Sequence, residues 1–276
     1  NPNNFVNAYV IDTGIQITHK DFEGRATWGK TTIPYNGDED LNGHGTHCAG
    51  IIGSKTYGVS KNVHLIAVKV LDSSGNGEIS DVLKGIEFVV NDHEEQMSQN
   101  KKLKGSVVNM SMGAGKSYAL TKMVNEAVKK GIHFVVAAGN ESDDACYGSP
   151  ADAEEAISVG ATTTSEGRAF FSNWGKCVDI FAPGTGIPST YIGDNNNSTE
   201  VMSGTSMSAP HVAGLVAYFL NLQPETESEF YNFVTPNQLK EKIINFGSTN
   251  KLYDPGENSP NIIAYNGGSK DIKHFW

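Results

Sequence analysis

Three polar residues far apart in the chain carry the side chains needed for nucleophilic acyl transfer: a carboxylate at Asp12, an imidazole at His44 and a hydroxyl at Ser206. Ser206 lies in Gly204-Thr205-Ser206-Met207-Ser208-Ala209-Pro210-His211, ahead of an apolar run over 212–222 that reads as a buried helix. A hydroxyl at a helix start sits in the positive end of the backbone dipole, where an adjacent N–H can face a developing oxyanion. Taken alone, the segment reads equally well as a small-residue helix cap. A serine hydroxyl is a poor nucleophile near neutral pH and needs a base. His44, in Asn42-Gly43-His44-Gly45-Thr46-His47, can supply one, because a free imidazole titrates near pH ~6.5. Asp12, in Val10-Ile11-Asp12-Thr13-Gly14, follows apolar residues and can fix the imidazole tautomer and stabilise the imidazolium. The glycines around His44 leave room for a substrate backbone. Asn140 offers a side-chain amide donor and Ser206 its own N–H, a pair suited to a tetrahedral oxyanion. His47 is a second candidate base, or with His44 and Cys48 part of a metal site. Zinc is disfavoured because no fourth ligand stands at a familiar spacing. His19 and His211 read as packing or surface histidines.

Such groups need a frame. Short β-rich runs over 5–11, 64–70, 107–111, 133–138, 157–161 and 178–181 alternate with helical patterns, the signature of a parallel sheet covered by helices. Val82, Leu83, Ile86, Val89 and Val90 mark one helical face. Leu120, Met123, Val124, Ala127 and Val128 mark a second, with Ser117 as N-cap and Gly131 as stop. Thr235-Pro236 starts a late helix with Leu239, Ile243 and Ile244 inward and Gly247 closing it. Functional groups in such sheets gather at the carboxyl ends of the strands. Asp12, Ser111 and Asn140 each follow a strand run, so three strands deliver polar groups to one end. No repeat or long linker interrupts 1–276, and a single domain is expected.

The chain has 276 residues, with 38% hydrophobic content and 30 glycines, which suits a folded protein with many tight turns. Its formal charge of −10 disfavours nucleic acid and anionic membranes as partners. No run approaches the ~18 apolar residues of a membrane span, and the polar start at 1–4 is no signal peptide. Of the three cysteines, Cys146 and Cys177 lie beside polar turns and Cys48 in a small apolar helical stretch. A Cys146–Cys177 bridge is the preferred pairing, with three free thiols as the alternative. Asn109, Asn140, Asn196 and Asn197 begin glycosylation patterns. The first two fall in the cleft, and the polar loop around Asn196 is the attractive acceptor.

At this point the motifs resemble a known family. Asp12-Thr13-Gly14 after a strand, His44-Gly45-Thr46-His47-Cys48-Ala49-Gly50, Ala137-Ala138-Gly139-Asn140 and the Ser206 segment occur in the Asp…His…Ser order of subtilisin-like serine proteases. The resemblance covers nearly the whole chain. Cys48 beside the histidine motif, with Phe181-Ala182-Pro183-Gly184, is similar to the proteinase K branch. Asp144-Ala145-Cys146, Ser172-Asn173-Trp174-Gly175-Lys176-Cys177 and Tyr265-Asn266-Gly267-Gly268 resemble its cerevisin-like group.

The resemblance implies an α/β, subtilisin-like three-layer fold, with a mostly parallel central sheet and helices on both faces. It implies a serine endopeptidase working through an acyl-enzyme, with Ser206 as nucleophile, His44 as base and acid, Asp12 as orienter and Asn140 with Ser206 N–H as oxyanion hole. Ser111, Met112 and Gly113 would pair with substrate backbone and, with Ala137, Ala138 and Gly139, wall the pocket before the cut. Gly75, Asn76 and Gly77 would flank the strand further upstream. These wall segments carry no acid, so cleavage after apolar or aromatic residues is expected. The chemistry would need no cofactor; Asp179 reads either as a strand-end acid or, as the resemblance implies, as a ligand of a structural calcium with the carbonyls of Glu154 and Ala156. The implied partners are polypeptide substrates and the protein's own propeptide or a proteinaceous inhibitor, the implied state a monomer, and the implied compartment vacuolar or secreted. Family domains carry a few tens of residues, and a propeptide, before the strand leading to Asp12; a chain starting at Asn1 is expected to lack both. The competing class, a non-catalytic binding protein on the same fold, is disfavoured because all four catalytic positions are filled.

Overall fold

The computed structural model describes residues 5–33, 37–268 and 275–276; the polar start at 1–4 lies outside them. The chain opens with β1 (Val6–Asp12), β2 (Ala26–Thr31), α1 (His44–Gly53) and β3 (His64–Lys69). Next come α2 (Ile79–Gln99), β4 (Gly105–Met110), β5 (Ala114–Gly115), α3 (Tyr118–Lys129), β6 (His133–Ala137), β7 (Gly148–Ser149) and β8 (Ile157–Thr162). The remainder is β9 (Ile180–Pro183), β10 (Ile187–Thr190), β11 (Thr199–Met202), α4 (Thr205–Leu222), α5 (Pro236–Phe246), β12 (Ser248–Thr249) and β13 (Ile262–Ile263).

Nine strands form one sheet in the order β12-β13-β9-β8-β6-β4-β1-β3-β2. Every pairing in it is parallel except β12 with β13. The inner strands are apolar on both faces because both are covered. On β1, Val6, Ala8 and Val10 pack into a cluster with Ile51 and Ile52 of α1 and Val212 and Val216 of α4. Tyr9 and Ile11 point the other way, against Val82 and Ile86 of α2 and Val124 and Val128 of α3. That alternation produces the three layers. Helix α4 is apolar nearly all round because it is buried beneath the sheet.

The boundary residues act as their chemistry dictates. Ser117 Oγ accepts from Leu120 N at the start of α3, and Gly131 just beyond its end has φ +95°. Thr235 and Gln238 form a reciprocal capping box on α5, Pro236 is its first residue, and Gly247 follows its last. β2, absent from the sequence reading, is an edge strand with a bulge between Trp28 and Lys30. An edge strand buries only part of one face, so Ala-Thr-Trp-Gly-Lys-Thr carries no apolar run. The Cys146–Cys177 bridge is formed, with Cα atoms 5.3 Å apart, and Cys48 is a buried free thiol. Among the described residues, no helix is long and apolar enough to cross a membrane.

Candidate active site

Asp12 is the last residue of β1 and fully buried; His44 is the first residue of α1. The imidazole Nδ1 lies 2.8 Å from Asp12 Oδ1 and 2.9 Å from Oδ2, which leaves Nε2 as the nitrogen available to a substrate-side proton. Burial by itself lowers the His44 pKa. The charge and hydrogen bond of Asp12, joined by the charge of Asp40, outweigh burial and hold it above the ordinary 6.5. The glycines beside His44 serve a purpose the sequence reading did not assign. A Cβ on Gly45 would collide with the Gly14 carbonyl and lie 3.2 Å from Asp12 Oδ1, and one on Gly43 would strike the Tyr191 ring. They admit the chain's own neighbours, bringing α1 down onto the end of β1.

Asp40, which sequence reasoning missed, organises that junction. Its Oδ1 accepts from Thr13 Oγ1 (2.9 Å), Asn42 N (3.0 Å) and Gly43 N (2.9 Å); its Oδ2 accepts from Thr46 N (3.0 Å) and Thr46 Oγ1 (2.6 Å). One carboxylate thus joins the start of α1 to the residue next to Asp12, where Asn42 Oδ1 accepts from His44 N (3.1 Å) and Thr13 Oγ1 from Gly45 N (3.0 Å). Its position four residues before His44 was the available signal.

Ser206 stands in the first turn of α4, where backbone N–H groups have no partner within the helix. Four residues later, Pro210 has no N–H to give the Ser206 carbonyl. That carbonyl accepts instead from Ser111 Oγ at 2.7 Å and from the Cys48 thiol at 3.4 Å, and Asn109 Nδ2 donates to Ser111 Oγ at 2.9 Å. The serine backbone is therefore anchored to β4 and α1 from outside its own helix. Its hydroxyl donates to the Ser111 carbonyl at 3.2 Å.

Asn140 follows β6 and is held by Thr205, whose backbone N and Oγ1 donate to Asn140 Oδ1 at 2.8 and 3.0 Å. The amide is thereby oriented with Nδ2 left to bond elsewhere. A Cβ built on Gly204 would sit 3.6 Å from Ser206 N and 3.7 Å from Asn140 Nδ2, so both donors border one small space. Beside it opens a cleft of about 350 Å³ lined by Met112, Gly113, Ala137, Ala138, Gly139 and Ser206. Ser111 is buried behind this wall. Glu141, Asp143 and Asp144 also border the cleft, beyond the segments read as its wall. Each is engaged locally: Glu141 Oε2 accepts from Asn173 Nδ2 (2.7 Å), Asp143 Oδ1 from Asp144 N (2.7 Å) and Asp144 Oδ1 from Cys146 N (2.8 Å). Gly75, Asn76 and Gly77 lie in an exposed turn beside α1, tied there by Asn42 Nδ2 to the Ser73 carbonyl at 3.0 Å.

The other candidates separate from this centre. His47 Nε2 faces the carbonyls of Ile187 and Glu200, each 3.1 Å away, and burial pulls its pKa down to about 4. It is a neutral clamp between α1 and the β10–β11 pair, and it cannot join His44 on a metal through that atom. Asp12, His44 and Cys48 do bring three ligand atoms within 4.8 Å of one another, but Asp12 is bonded to His44 Nδ1 and the Cys48 thiol donates to the Ser206 carbonyl, while burial pushes its pKa well above the ordinary value. His19 and His211 bond to the carbonyls of Ser198 and Met207. Asn196 is half-buried with φ +53°, and its Oδ1 accepts from Gln16 Nε2 and Thr18 Oγ1, both at 2.9 Å. Around the expected calcium ligands the finding differs from expectation. Lys240 Nζ bonds all three: the carbonyls of Glu154 (2.9 Å) and Ala156 (2.6 Å) and Asp179 Oδ1 (2.9 Å).

This chain is similar to known proteins over nearly its whole length. It is 58% identical to cerevisin of Saccharomyces cerevisiae across 98% of the chain, which spans 43% of that relative. It is 57% identical to subtilisin-like protease 3 of the same organism, spanning 57% of it, and 56% identical to the subtilisin-like serine protease Rho m 2.0101 of Rhodotorula mucilaginosa, spanning 80%. The chain thus covers about half the length of the first two. Among solved structures, that of a cold adapted subtilisin-like serine proteinase superposes with a TM-score of 0.84 at 41% identity, covering 96% of this chain and 89% of that one. The subtilase profile matches residues 8–260, which include Asp12, His44, Asn140 and Ser206, and the chain belongs to the Subtilase family.

Proposed function

We propose that the chain is the catalytic domain of a serine endopeptidase that cleaves extended polypeptide through an acyl-enzyme. The observation that carries this reading is the buried Asp12 carboxylate bonded to His44 Nδ1, with Ser206 N and Asn140 Nδ2 bordering one space beside the Ser206 hydroxyl. Substrate entry turns the hydroxyl from the Ser111 carbonyl toward His44 Nε2. As Oγ attacks the scissile carbonyl carbon, Nε2 takes the proton, Asp12 stabilises the imidazolium, and the oxyanion accepts from Asn140 Nδ2 and Ser206 N. Collapse breaks the C–N bond as His44 protonates the leaving amine. Water then attacks the acyl carbon as Nε2 takes its proton, and collapse breaks the bond to Ser206 Oγ, which recovers that proton from His44 as the carboxylic acid product leaves.

Met112–Gly113 and Ala137–Gly139 supply a wall without a charged side chain, and the three acids border the cleft outside these segments, so apolar or aromatic residues are preferred before the cut. Substrate backbone pairs beside 111–113, with the turn at 75–77 flanking it upstream. A propeptide or proteinaceous inhibitor would occupy the same groove, and the protein acts as a monomer in the secretory pathway, vacuolar or secreted. The loop around Asn196 is the glycan acceptor. A proteome-derived peptide digest tests the reading. Wild type should cut mainly after apolar and aromatic residues, and Ser206→Ala should lose at least ~10⁴-fold in rate. Undiminished hydrolysis by Ser206→Ala would sink the assignment, and dominance of cuts after Lys or Arg would overturn the pocket reading.

A further inference from the structure

The three oxygens expected to bind calcium are held by a single ammonium group. Lys240 lies on α5, Glu154 and Ala156 in the turn before β8, and Asp179 immediately before β9. The distances from Nζ are 2.9 Å to the Glu154 carbonyl, 2.6 Å to the Ala156 carbonyl and 2.9 Å to Asp179 Oδ1. A lysine ammonium has three N–H donors, and here three acceptors use all of them. The site is sheltered: the side chains of Lys240 and Asp179 are 15% and 24% exposed. The other Asp179 oxygen accepts from Ser158 N at 2.8 Å, so the carboxylate is satisfied on both sides.

Calcium needs six to eight oxygens at about 2.3–2.6 Å. The nitrogen already stands where these three oxygens converge, so the ion and the ammonium exclude each other by space and by charge. With Lys240 in place, the donor set does not fit calcium. We propose that Lys240 is a built-in cation that replaces calcium at this position, fastening α5 to the loops that lead into β8 and β9. One turn earlier on α5, Asn237 Nδ2 donates to Glu155 Oε2 at 2.7 Å, so the helix reaches the same turn twice. The stability of this corner then needs no free calcium.

The test uses the full chain in a Ser206→Ala background, which prevents self-digestion and keeps the result independent of the catalytic reading. Two measurements are made: thermal midpoints with calcium and with chelator, and calcium stoichiometry by equilibrium dialysis. Lys240→Met keeps the aliphatic stem but removes the ammonium; its midpoint should fall on the order of 5 °C in chelator, since Asp179 is left without its partner. Asp179→Asn should bind the same number of calcium ions as its parent. A midpoint unchanged by Lys240→Met would overturn the proposal. So would the loss of one bound calcium in Asp179→Asn, a comparison that does not depend on any Lys240 variant folding.

Discussion

His44, the proposed general base, is tuned by two carboxylates with different tasks. Asp12 touches the ring; Asp40 acts through the backbone, joining Thr13 to the first turn of α1. The active base is neutral imidazole, so a pKa held above 6.5 places the acid limb of kcat/KM above pH 6.5, with activity rising as pH increases through it. Replacing Asp40 by Asn removes a charge that raises this pKa and keeps a similar shape. Asp40→Asn should therefore move the acid limb to lower pH and reduce kcat about 10-fold as the His44 geometry loosens. A pH–rate profile checks this. An unmoved acid limb would mean that Asp40 only stabilises the fold. Asn140→Ala should cost about 100–1,000-fold in kcat with little change in KM, the loss known for an oxyanion-hole donor of subtilisin itself; steady-state kinetics decide.

At the scale of elements, the site is made by ends: the carboxyl ends of β1, β4 and β6 and the amino ends of α1 and α4. The sequence showed Asp12, His44, Asn140 and Ser206 because their motifs are local in the chain. It did not show Asp40 or Thr205 as positioning residues, because their partners are fixed only when α1 meets β1 and α4 meets the loop after β6. Pro210 was visible, but its consequence, a Ser206 carbonyl freed for Ser111 and Cys48, depends on a contact across 95 residues. The Cys146–Cys177 bridge fastens the loop carrying Asp144 and Tyr147, which border the cleft, to the segment before β9. Its loop of about 31 residues contributes about 3–4 kcal/mol in the chain-entropy model. Cys146→Ser with Cys177→Ser should lower the thermal midpoint by about 5–10 °C, read by calorimetry in an inactivated background. An unchanged midpoint would show that the bridge constrains nothing essential.

Over the whole molecule, the alternation of strand runs and helical faces announced the three layers, since each inner strand must be apolar on both sides. Edges were illegible for the opposite reason: β2, β12 and β13 bury too little to leave a pattern. The calcium expectation shows another limit. Glu154, Ala156 and Asp179 read as ligands, but Lys240 lies 61 residues beyond Asp179 in sequence, and only the packing of α5 brings its ammonium among them. The net charge of −10 likewise constrains partners without locating a site. The proposed function rests on four distant segments acting at one hydroxyl. Stoichiometric labelling with a fluorophosphonate, mapped by peptide mass, tests that convergence most directly. One adduct per chain is expected, on Ser206, formed faster as pH rises through the His44 pKa and nearly abolished in His44→Ala. An adduct on another residue, or labelling of Ser206 at the same rate without His44, would contradict it.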